Sequence, residues 1–318
     1  MKYELLKHLV CPETGESLEL KVSEEQYGQI KEGCLTSRGG KYRYPITSYV
    51  PRFVQKEAYA STFSKQRLYV KRHFKHYECD PLAKSLFYQT TGLSSEQINA
   101  GLLLEVGCGY GRFVNVIQQD GGEIVGVDLS THSIELAQSF VGLCPRVHLI
   151  QCDLFRLPFR AGTFSSVYSI GVLHHTPDCR KAFQKIAKYV APNGQISIWV
   201  YHPSNQRDAN TWRWMTTKWS PSCLYAFCVL NQALFSWIRK IPLVRWKFNK
   251  WIPGSVPKAG QHFWLRVLED FDNFSPQYAS SHTSPEVAEW FSEAGLSDIK
   301  ALDRLTAVTG YRREVVPG

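Results

Sequence analysis

Residues 102–111 read LLLEVGCGYG, and this stretch decides the fold. Its first half, LLLEV, is a nearly continuous apolar run, which is typical of a strand buried in a parallel sheet. Phe113, Val114 and Ile117 follow at helical spacing, so a helix is predicted directly after the glycines. The glycines let the backbone turn sharply and approach a ligand, and the helix start offers unpaired N–H groups. Taken alone, such a turn is as typical of a purely structural connection as of a ligand site.

The chain beyond this turn continues to alternate strands and helices. Apolar runs predict strands at 124–127, 147–150, 167–170 and 195–201, with helical segments between them. The helix before the last of these strands is predicted to end at the Pro-Asn-Gly sequence of residues 192–194. Farther along, a helix from Ser284 and two strands or a hairpin over 299–311 are expected to complete the sheet. This alternation predicts an α/β fold with one parallel sheet.

Two carboxylates follow the next two predicted strands. Asp128 ends the strand after the glycine turn, and Asp153 ends the strand after that. Ligands of open α/β sheets bind outside the carboxyl ends of the strands, where an acid can accept both hydroxyls of a ribose. Each acid alone is as typical of a helix cap or a solvated loop. Together with the glycine turn, the two acids predict a ligand site at this edge of the sheet.

The whole set of motifs resembles the class I S-adenosylmethionine (SAM)-dependent methyltransferases. The matching segments, in motif order, are 103–111, 127–130, 152–154 with 157–159, 164–175 and 191–195. An NAD-binding fold fits less well, because the loop reads G-x-G-x-G rather than G-x-G-x-x-G. The resemblance covers about residues 100–200. It implies a doubly wound, mostly parallel, seven-stranded sheet of Rossmann-like type.

The resemblance also implies the cofactor, SAM, and its contacts. In this family the acid of the second motif, here Asp128, binds the ribose, and that of the third, here Asp153, holds the adenine amino group. Ser165 stands where the family often carries Asp, a departure that is not expected to affect cofactor binding. The residues expected to bind the cofactor are Glu105, Gly107, Cys108, Gly109, Gly111, Asp128, Leu129, Asp153, Leu154 and Ile170.

A histidine pair is the candidate catalytic feature. Methyl transfer depends on alignment and exclusion of water, but a hydroxyl or acidic-carbon acceptor also needs a base. His174 and His175 follow the fourth strand, where the acceptor is expected. The alternative is a structural pair that recurs in the family whatever the substrate. Residues 169–172 read SIGV where the family's amino-group methylases often carry Asn/Asp-Pro-Pro-aromatic, which argues against exocyclic amino groups of bases or glutamine as acceptors.

The chain is predicted to have three parts. Residues 1–54 are turn-rich and predict a small β-rich module, 55–99 a basic, aromatic, helical linker or cap, and 100–318 the methyltransferase domain. The first part resembles the Trm112-like zinc-ribbon module at 9–12, 44–46 and 50–53. The family's four thiolates would fall at Cys11, Thr14, Ser37 and Gly40, and one thiolate cannot hold a tetrahedral structural zinc. No metal is therefore expected, and the module is expected to be held by its own packing and by docking on the catalytic domain.

An insert at about residues 202–260 is basic and rich in tryptophan. Seven of the nine tryptophans lie between Trp199 and Gly260, with nine Lys/Arg against one acid, Asp208. Three interpretations stay open: a lid over the substrate with its charges in solvent, a peripheral membrane contact through about 210–250, or a nucleic-acid grip. The apolar run from Leu224 to Ile238 is too short to span a bilayer.

The bulk properties are those of a soluble protein with a hydrophobic core. The chain has 318 residues, 44% hydrophobic residues and a formal charge of +9. No secretory signal is recognised, and nine scattered cysteines fit reduced thiols, so a cytoplasmic protein with an option of membrane association is expected. The favoured function is methyl transfer to O, C or N of a small, lipophilic organic acceptor. The alternatives are an rRNA or tRNA methyltransferase and a non-catalytic SAM-fold scaffold.

Overall fold

The structure is a computed structural model that describes residues 1–54, 82–205, 207–252, 254–256 and 262–314. Most of the predicted helical linker, residues 55–81, lies outside the described residues. The strands are β1 (Leu18–Gln26), β2 (Gln29–Ser37), β3 (Arg43–Thr47), β4 (Val50–Pro51), β5 (Leu102–Val106), β6 (Glu123–Asp128), β7 (Val147–Gln151), β8 (Phe164–Ile170), β9 (Val190–Trp199), β10 (Ser297–Ala301) and β11 (Ala307–Tyr311). The α-helices are α1 (Tyr3–Leu6), α2 (Ala83–Thr91), α3 (Ser95–Asn99), α4 (Arg112–Gln119), α5 (Thr131–Val141), α6 (Cys179–Ala187), α7 (Arg207–Thr216), α8 (Pro221–Phe235), α9 (Pro242–Trp251), α10 (Phe263–Phe274) and α11 (Ser284–Glu293).

The central sheet has seven strands in the order β10-β11-β9-β8-β5-β6-β7. All pairs from β9 to β7 are parallel, whereas β11 runs antiparallel between β9 and β10. The predicted mostly parallel, seven-stranded sheet with a terminal hairpin is therefore confirmed. The strand order reverses between β5 and β8, and in such sheets ligands bind outside the carboxyl ends of the strands at that point.

Helices cover both faces of this sheet. On one face α4 buries the predicted Phe113, Val114 and Ile117 together with apolar residues of α2 and α5. On the other face α6 and α11 pack together, with the rings of Phe183 and Phe291 stacked at 4.5 Å between centroids. The two apolar layers make the sheet rigid, so the loops at its edge have a fixed base.

The helix before β9 ends earlier than predicted. α6 ends at Ala187, and residues 192–194, the predicted stop, lie inside β9. Phe164 N donates a hydrogen bond to Tyr189 O, so pairing with β8 begins almost directly after the helix. The Pro-Asn-Gly sequence instead accompanies a shift in the β8–β9 register, with Asn193 at a φ of 60°. Strand pairing outweighs the local stop signal at this position.

The N-terminal strands form a separate antiparallel sheet in the order β1-β2-β3-β4. Its buried side chains, among them Leu9, belong to the same apolar cluster as the core of the large domain. Val10 N donates to Pro158 O, and Arg52 Nη1 donates to Gln151 Oε1 at 2.7 Å. The module therefore docks along β7 and the loop that follows it.

The insert is a helical unit made of α7 to α10 with an apolar core of its own. A buried polar cluster ties its helices together: Asp270 accepts hydrogen bonds from Asn231 Nδ2 at 3.1 Å and from Gln232 Nε2 at 2.7 Å. Arg239, also buried, donates to Asn231 Oδ1 at 2.7 Å. The lid interpretation placed the insert's charges in solvent, but Arg239 and Arg213 lie inside the protein. No described helix is long and apolar enough to cross a membrane.

Replacing Asp270 with Asn should destabilise the insert by roughly 3 kcal/mol, because Arg239 then loses its buried counter-charge. Urea denaturation followed by tryptophan fluorescence measures this loss. Glu293→Gln is the matched control: it breaks the surface ion pair with Arg180, which solvent screens, and should leave the free energy of unfolding close to that of the wild type. Equal losses in the two variants would contradict a stabilising role for the buried cluster.

Candidate cofactor and acceptor site

The glycine turn between β5 and α4 is held by backbone hydrogen bonds to β6. Gly107 N and Cys108 N both donate to Val127 O, at 2.8 and 2.9 Å. All three glycines of the turn have left-handed φ values, of 80°, 54° and 84°. A Cβ at Gly107 would lie 2.5 Å from both methyl carbons of Val172. The turn therefore requires glycine at position 107 for its backbone conformation and for space.

Asp128, the predicted ribose-binding acid, is tied to this turn. Its Oδ2 accepts a hydrogen bond from Gly109 N at 2.9 Å, and its Oδ1 accepts from Ser130 N at 2.8 Å. Ser130 in turn caps α5 by accepting from Ser133 N. The carboxylate is thus oriented between the glycine turn and the start of α5, at the carboxyl end of β6.

A cavity opens at the carboxyl ends of the parallel strands. Asp128 and two glycines of the turn, Gly107 and Gly109, line it, among mostly apolar neighbours. These features fit a nucleoside-containing cofactor such as SAM. The residues that line the cavity are Val106, Gly107, Gly109, Val127, Asp128, Leu129, Ser133, Cys152, Leu154, Gly171, Val172, His175 and Thr176.

Half of the predicted cofactor-binding residues line this cavity: Gly107, Gly109, Asp128, Leu129 and Leu154. The lining does not include the other five, Glu105, Cys108, Gly111, Asp153 and Ile170. They lie immediately behind or beside the lining residues, in the strand ends and the turn. These five residues therefore support the lining residues without being part of the lining.

Glu105 illustrates this placement. The carboxyl group is buried, and its Oε2 lies 3.3 Å from the hydroxyl of Tyr168, which donates to it from the neighbouring strand. Burial raises the pKa of the Glu105 carboxyl well above its usual range. The hydrogen bond joins β5 to β8 directly beneath the glycine turn.

Asp153 has a local partner. Its Oδ1 accepts a hydrogen bond from Phe155 N at 2.9 Å and caps the short 3₁₀ helix Leu154–Arg156. Leu154, the next residue, lines the cavity. The assignment of Asp153 to the adenine amino group stays a prediction.

The histidine pair lies at the opposite end of the cavity, in the 3₁₀ helix Leu173–His175. His175 lines the cavity, and its Nδ1 lies 3.0 Å from the carbonyl oxygen of Tyr278. Because a carbonyl only accepts, Nδ1 carries the proton and Nε2 is the acceptor. Burial is the main reason that the pKa of His175 is lowered to about 4, with Arg213 adding to it and Asp272 opposing it.

His174 is fully buried behind His175. Its ring stacks on Tyr201 at 3.7 Å between centroids, and neither ring nitrogen has a hydrogen-bond partner among the described residues. Burial lowers the pKa of His174 well below its usual value, so the ring is neutral. Two neutral imidazoles therefore stand side by side at this end of the cavity, 4.2 Å apart between ring centroids.

An aromatic wall continues from the histidines. The indole of Trp199 lies against Gly171, where a Cβ would come within 3.2 Å of the ring. Arg304 lies over this indole, with its guanidinium carbon 4.1 Å from the ring centre. Gly171, Val172, His175 and Thr176 line this end of the cavity, and Trp199 packs behind Gly171.

The N-terminal module and the insert both contact residues at the edge of the site. Gln151 Nε2 donates to Leu129 O and to Thr131 Oγ1, both at 3.0 Å, while its side-chain oxygen accepts from Arg52 of the N-terminal module. On the other side, Leu268 of the insert packs on Tyr110 of the glycine turn and on Leu136. The module thus braces the Leu129 loop, and the insert covers the glycine turn.

Sequence reasoning missed several lining residues. Ser133 and Thr176 each lie within a few residues of a recognised motif, Cys152 lies inside the third motif, and Gly171 and Val172 lie inside the fourth. Their position in or beside the motifs was the signal that could have found them. Gln151 directly precedes the third motif, but its role depends on a contact with a residue 99 positions away, which no motif predicts.

Gly107→Ala should weaken SAM binding by about 100-fold, because the new methyl group meets Val172 and the residue keeps a left-handed φ. Isothermal titration calorimetry measures the change. Gly142→Ala is the control, since Gly142 also has a positive φ but no atom within 4 Å of an added Cβ. Wild-type affinity in Gly107→Ala would show that this close approach does not shape the site.

The buried histidines should make stability fall at acid pH. The unfolded chain takes up a proton near the ordinary histidine pKa of about 6.5, whereas folded His175 takes it up only near pH 4, so acid favours unfolding between these values. His175→Gln should reduce the loss of stability between about pH 7.5 and about pH 5 by about 2 kcal/mol. Chemical denaturation without cofactor tests this, with the exposed His132→Gln as the control. An unchanged pH dependence in His175→Gln would contradict the prediction.

Comparison with known proteins shows which family the domain that carries the site resembles. Residues 104–198 match the family described as methyltransferase domain. The protein named Probable tRNA methyltransferase 9B of Bos taurus is 33% identical over 109 residues, which are 33% of this chain and 22% of that protein. Norajmaline N-methyltransferase of Rauvolfia serpentina is 32% identical over 107 residues, 32% of this chain and 37% of that protein. The chain thus spans between a fifth and two fifths of these relatives.

Among solved structures, a chain of a Haloferax volcanii complex that contains the Trm112 methyltransferase activator aligns with 82% of this chain and 99% of its own length. That alignment has 11% identity and a TM-score of 0.45. The matched family and relatives agree with the motif set and with the cavity at the strand ends. Residues 104–198 therefore form a methyltransferase domain of the class I SAM-dependent type, and the cofactor of that domain is S-adenosylmethionine.

Proposed function

We propose that the protein transfers a methyl group from SAM to an O, C or N atom of a small, lipophilic organic acceptor. SAM supplies an electrophilic methyl group on its sulfonium when bound. The observation that carries the proposal is the largely apolar lining of the cavity, which at the histidine end consists of Gly171, Val172, His175 and Thr176, with Trp199 packed behind Gly171. Such a lining favours binding of an apolar molecule of small size.

The chain's own contribution is alignment and exclusion of water. In-line displacement is accelerated mainly by holding the two partners in the attack geometry within a dry site. The glycine turn and Asp128 fix one end of the cavity, and the insert covers it through Leu268 and Tyr110. The 3₁₀ helix of the histidine pair is held at the other end, where Ser280 N donates to His174 O.

His175 is the proposed positioning group, with a second role as proton acceptor. Its Nε2 is the acceptor nitrogen, because Nδ1 donates to Tyr278 O. A neutral imidazole can accept a hydrogen bond from an acceptor hydroxyl or N–H and take its proton as the methyl group is transferred. The lowered pKa keeps His175 in this neutral form at physiological pH. His174 supports the ring of His175 from behind.

Methylation of RNA is the second candidate. The insert supplies cations and exposed tryptophans, and one relative is named a tRNA methyltransferase. Against it, Arg213 and Arg239 are directed into the protein, which removes two of the nine cations from any contact with phosphate. The small-molecule acceptor is therefore favoured.

The decisive experiment is a transfer assay with SAM labelled in its methyl group, run against an organic extract and against total RNA from the same cells. Label should enter the organic phase and depend on Asp128, so that Asp128→Ala weakens SAM binding about tenfold or more. His175→Gln should keep SAM affinity and lower the transfer rate by about 100-fold. Label found only in RNA, with salt-sensitive binding, would replace the proposal by the second candidate. Absence of SAM binding in calorimetry would leave a non-catalytic scaffold.

A further inference from the structure

The outward side of α8 is apolar although it faces solvent. Six residues between positions 223 and 237 are exposed, and none of them has a charged or amide side chain. Apart from the adjacent Ala233 and Leu234, steps of three and four residues separate them, which places them along one side of a helix, with Trp237 two residues beyond its end. Leu230 and Leu234 are 59% and 56% exposed, and Trp237 is 62% exposed. The full set is Cys223, Ala226, Leu230, Ala233, Leu234 and Trp237.

The inward side of the same helix carries the amides. Asn231 and Gln232 are buried, and both donate hydrogen bonds to Asp270. α8 also buries Leu224 and Cys228 in the core of the insert, so it carries apolar side chains on both its inward and its outward side. The inward amides are satisfied by Asp270, but the outward leucines gain nothing from water. An exposed apolar face of this size marks a surface that another apolar phase covers.

Further exposed apolar residues lie on the neighbouring helices of the insert. Leu243 and Trp251 of α9 are 91% and 79% exposed, and Ile241 and Val244 are each about two fifths exposed. Trp214 of α7 is 69% exposed. We call the surface formed by these residues and the outward side of α8 the insert face. Single exposed apolar residues are common on proteins, but a set of this size confined to one unit is not.

Cations accompany the insert face, and acids do not. Lys218, Lys240 and Lys247 are exposed, and Lys218 Nζ lies 5.8 Å from the centre of the Trp214 ring. No Asp or Glu occurs between residues 209 and 262. Leucines with tryptophans and lysines around them are the composition of helices that lie in the interface of anionic membranes. Each exposed lysine adds attraction to an anionic surface.

We propose that the insert face docks on the surface of an anionic lipid bilayer, with α8 lying along the membrane plane. A second copy of the chain fits less well, because it would bring the same lysines face to face with no carboxylate between residues 209 and 262 to pair with them. RNA would satisfy the lysines but would leave Leu230, Leu234 and Leu243 in water. The contact is peripheral, since no described helix is long enough to span the membrane.

The docking face belongs to the unit that covers the active site. Tyr225 of α8 and Leu268 of α10 both pack against Tyr110 of the glycine turn. A bilayer below the insert would therefore lie next to the cavity that we assign to a lipophilic acceptor. The proposal goes beyond the proposed activity and does not depend on it, because vesicle binding requires neither SAM nor an acceptor.

The test is flotation of the full-length protein with vesicles of phosphatidylcholine, with and without phosphatidylglycerol. The wild-type protein should float with the anionic vesicles and bind pure phosphatidylcholine more weakly. Leu230→Gln/Leu234→Gln/Trp237→Gln should weaken binding to anionic vesicles about tenfold or more, because three of the inserting side chains become polar. Lys240→Glu/Lys247→Glu should weaken it by a similar factor, and high salt should weaken wild-type binding.

The matched control is Tyr27→Asn/Leu82→Gln, which removes two equally exposed large side chains outside the insert and should float like the wild type. Thermal unfolding and SAM binding of each variant establish that it is folded. Wild-type protein that floats with neither kind of vesicle overturns the proposal. A Leu230→Gln/Leu234→Gln/Trp237→Gln variant that floats as well as the wild type also overturns it. So does light scattering that shows a dimer which the triple variant converts to a monomer, since a second copy then covers the face. RNA binding that is lost in the triple variant, without vesicle binding, overturns it as well.

Discussion

Two acceptors at the end of β6 hold the geometry on which the rest of the site depends. The carbonyl of Val127 accepts from two N–H groups of the glycine turn, and the carboxylate of Asp128 accepts from a third, that of Gly109. The parallel β5–β6 register, with Val106 opposite Val127, brings these groups together. Because Val172 closes against Gly107, the same turn also sets the position of the loop that carries the histidines.

Burial then determines the chemistry of the acceptor end. His174 and His175 stand in surroundings that favour neutral imidazoles, and Tyr201 and Trp199 add an aromatic wall. Such surroundings cannot stabilise charge as solvent would, which is one reason for the proposed apolar acceptor. The contact between Nδ1 of His175 and Tyr278 O places the proton of the neutral ring on Nδ1.

One helix of the insert, α8, faces the core of the insert on one side and solvent on the other. Its inward amides are held by Asp270, whose charge is balanced by Arg239, beside the buried Leu224 and Cys228 of the insert's apolar core. The leucines at positions 230 and 234 lie on the outward surface. The same unit touches the glycine turn through Leu268.

The sequence by itself determined the α/β fold, the glycine turn and the position of Asp128, because strand and helix periodicity and the need for left-handed φ are local properties. Only the tertiary structure decided which neighbours face the cavity, such as Cys152, and that Gln151 links the site to the N-terminal module. Packing also decided which side of α8 is exposed to solvent. Apolar residues occur all round that helix, so its pattern carries no direction, and the buried carboxylate of Asp270 selects the side that turns inward.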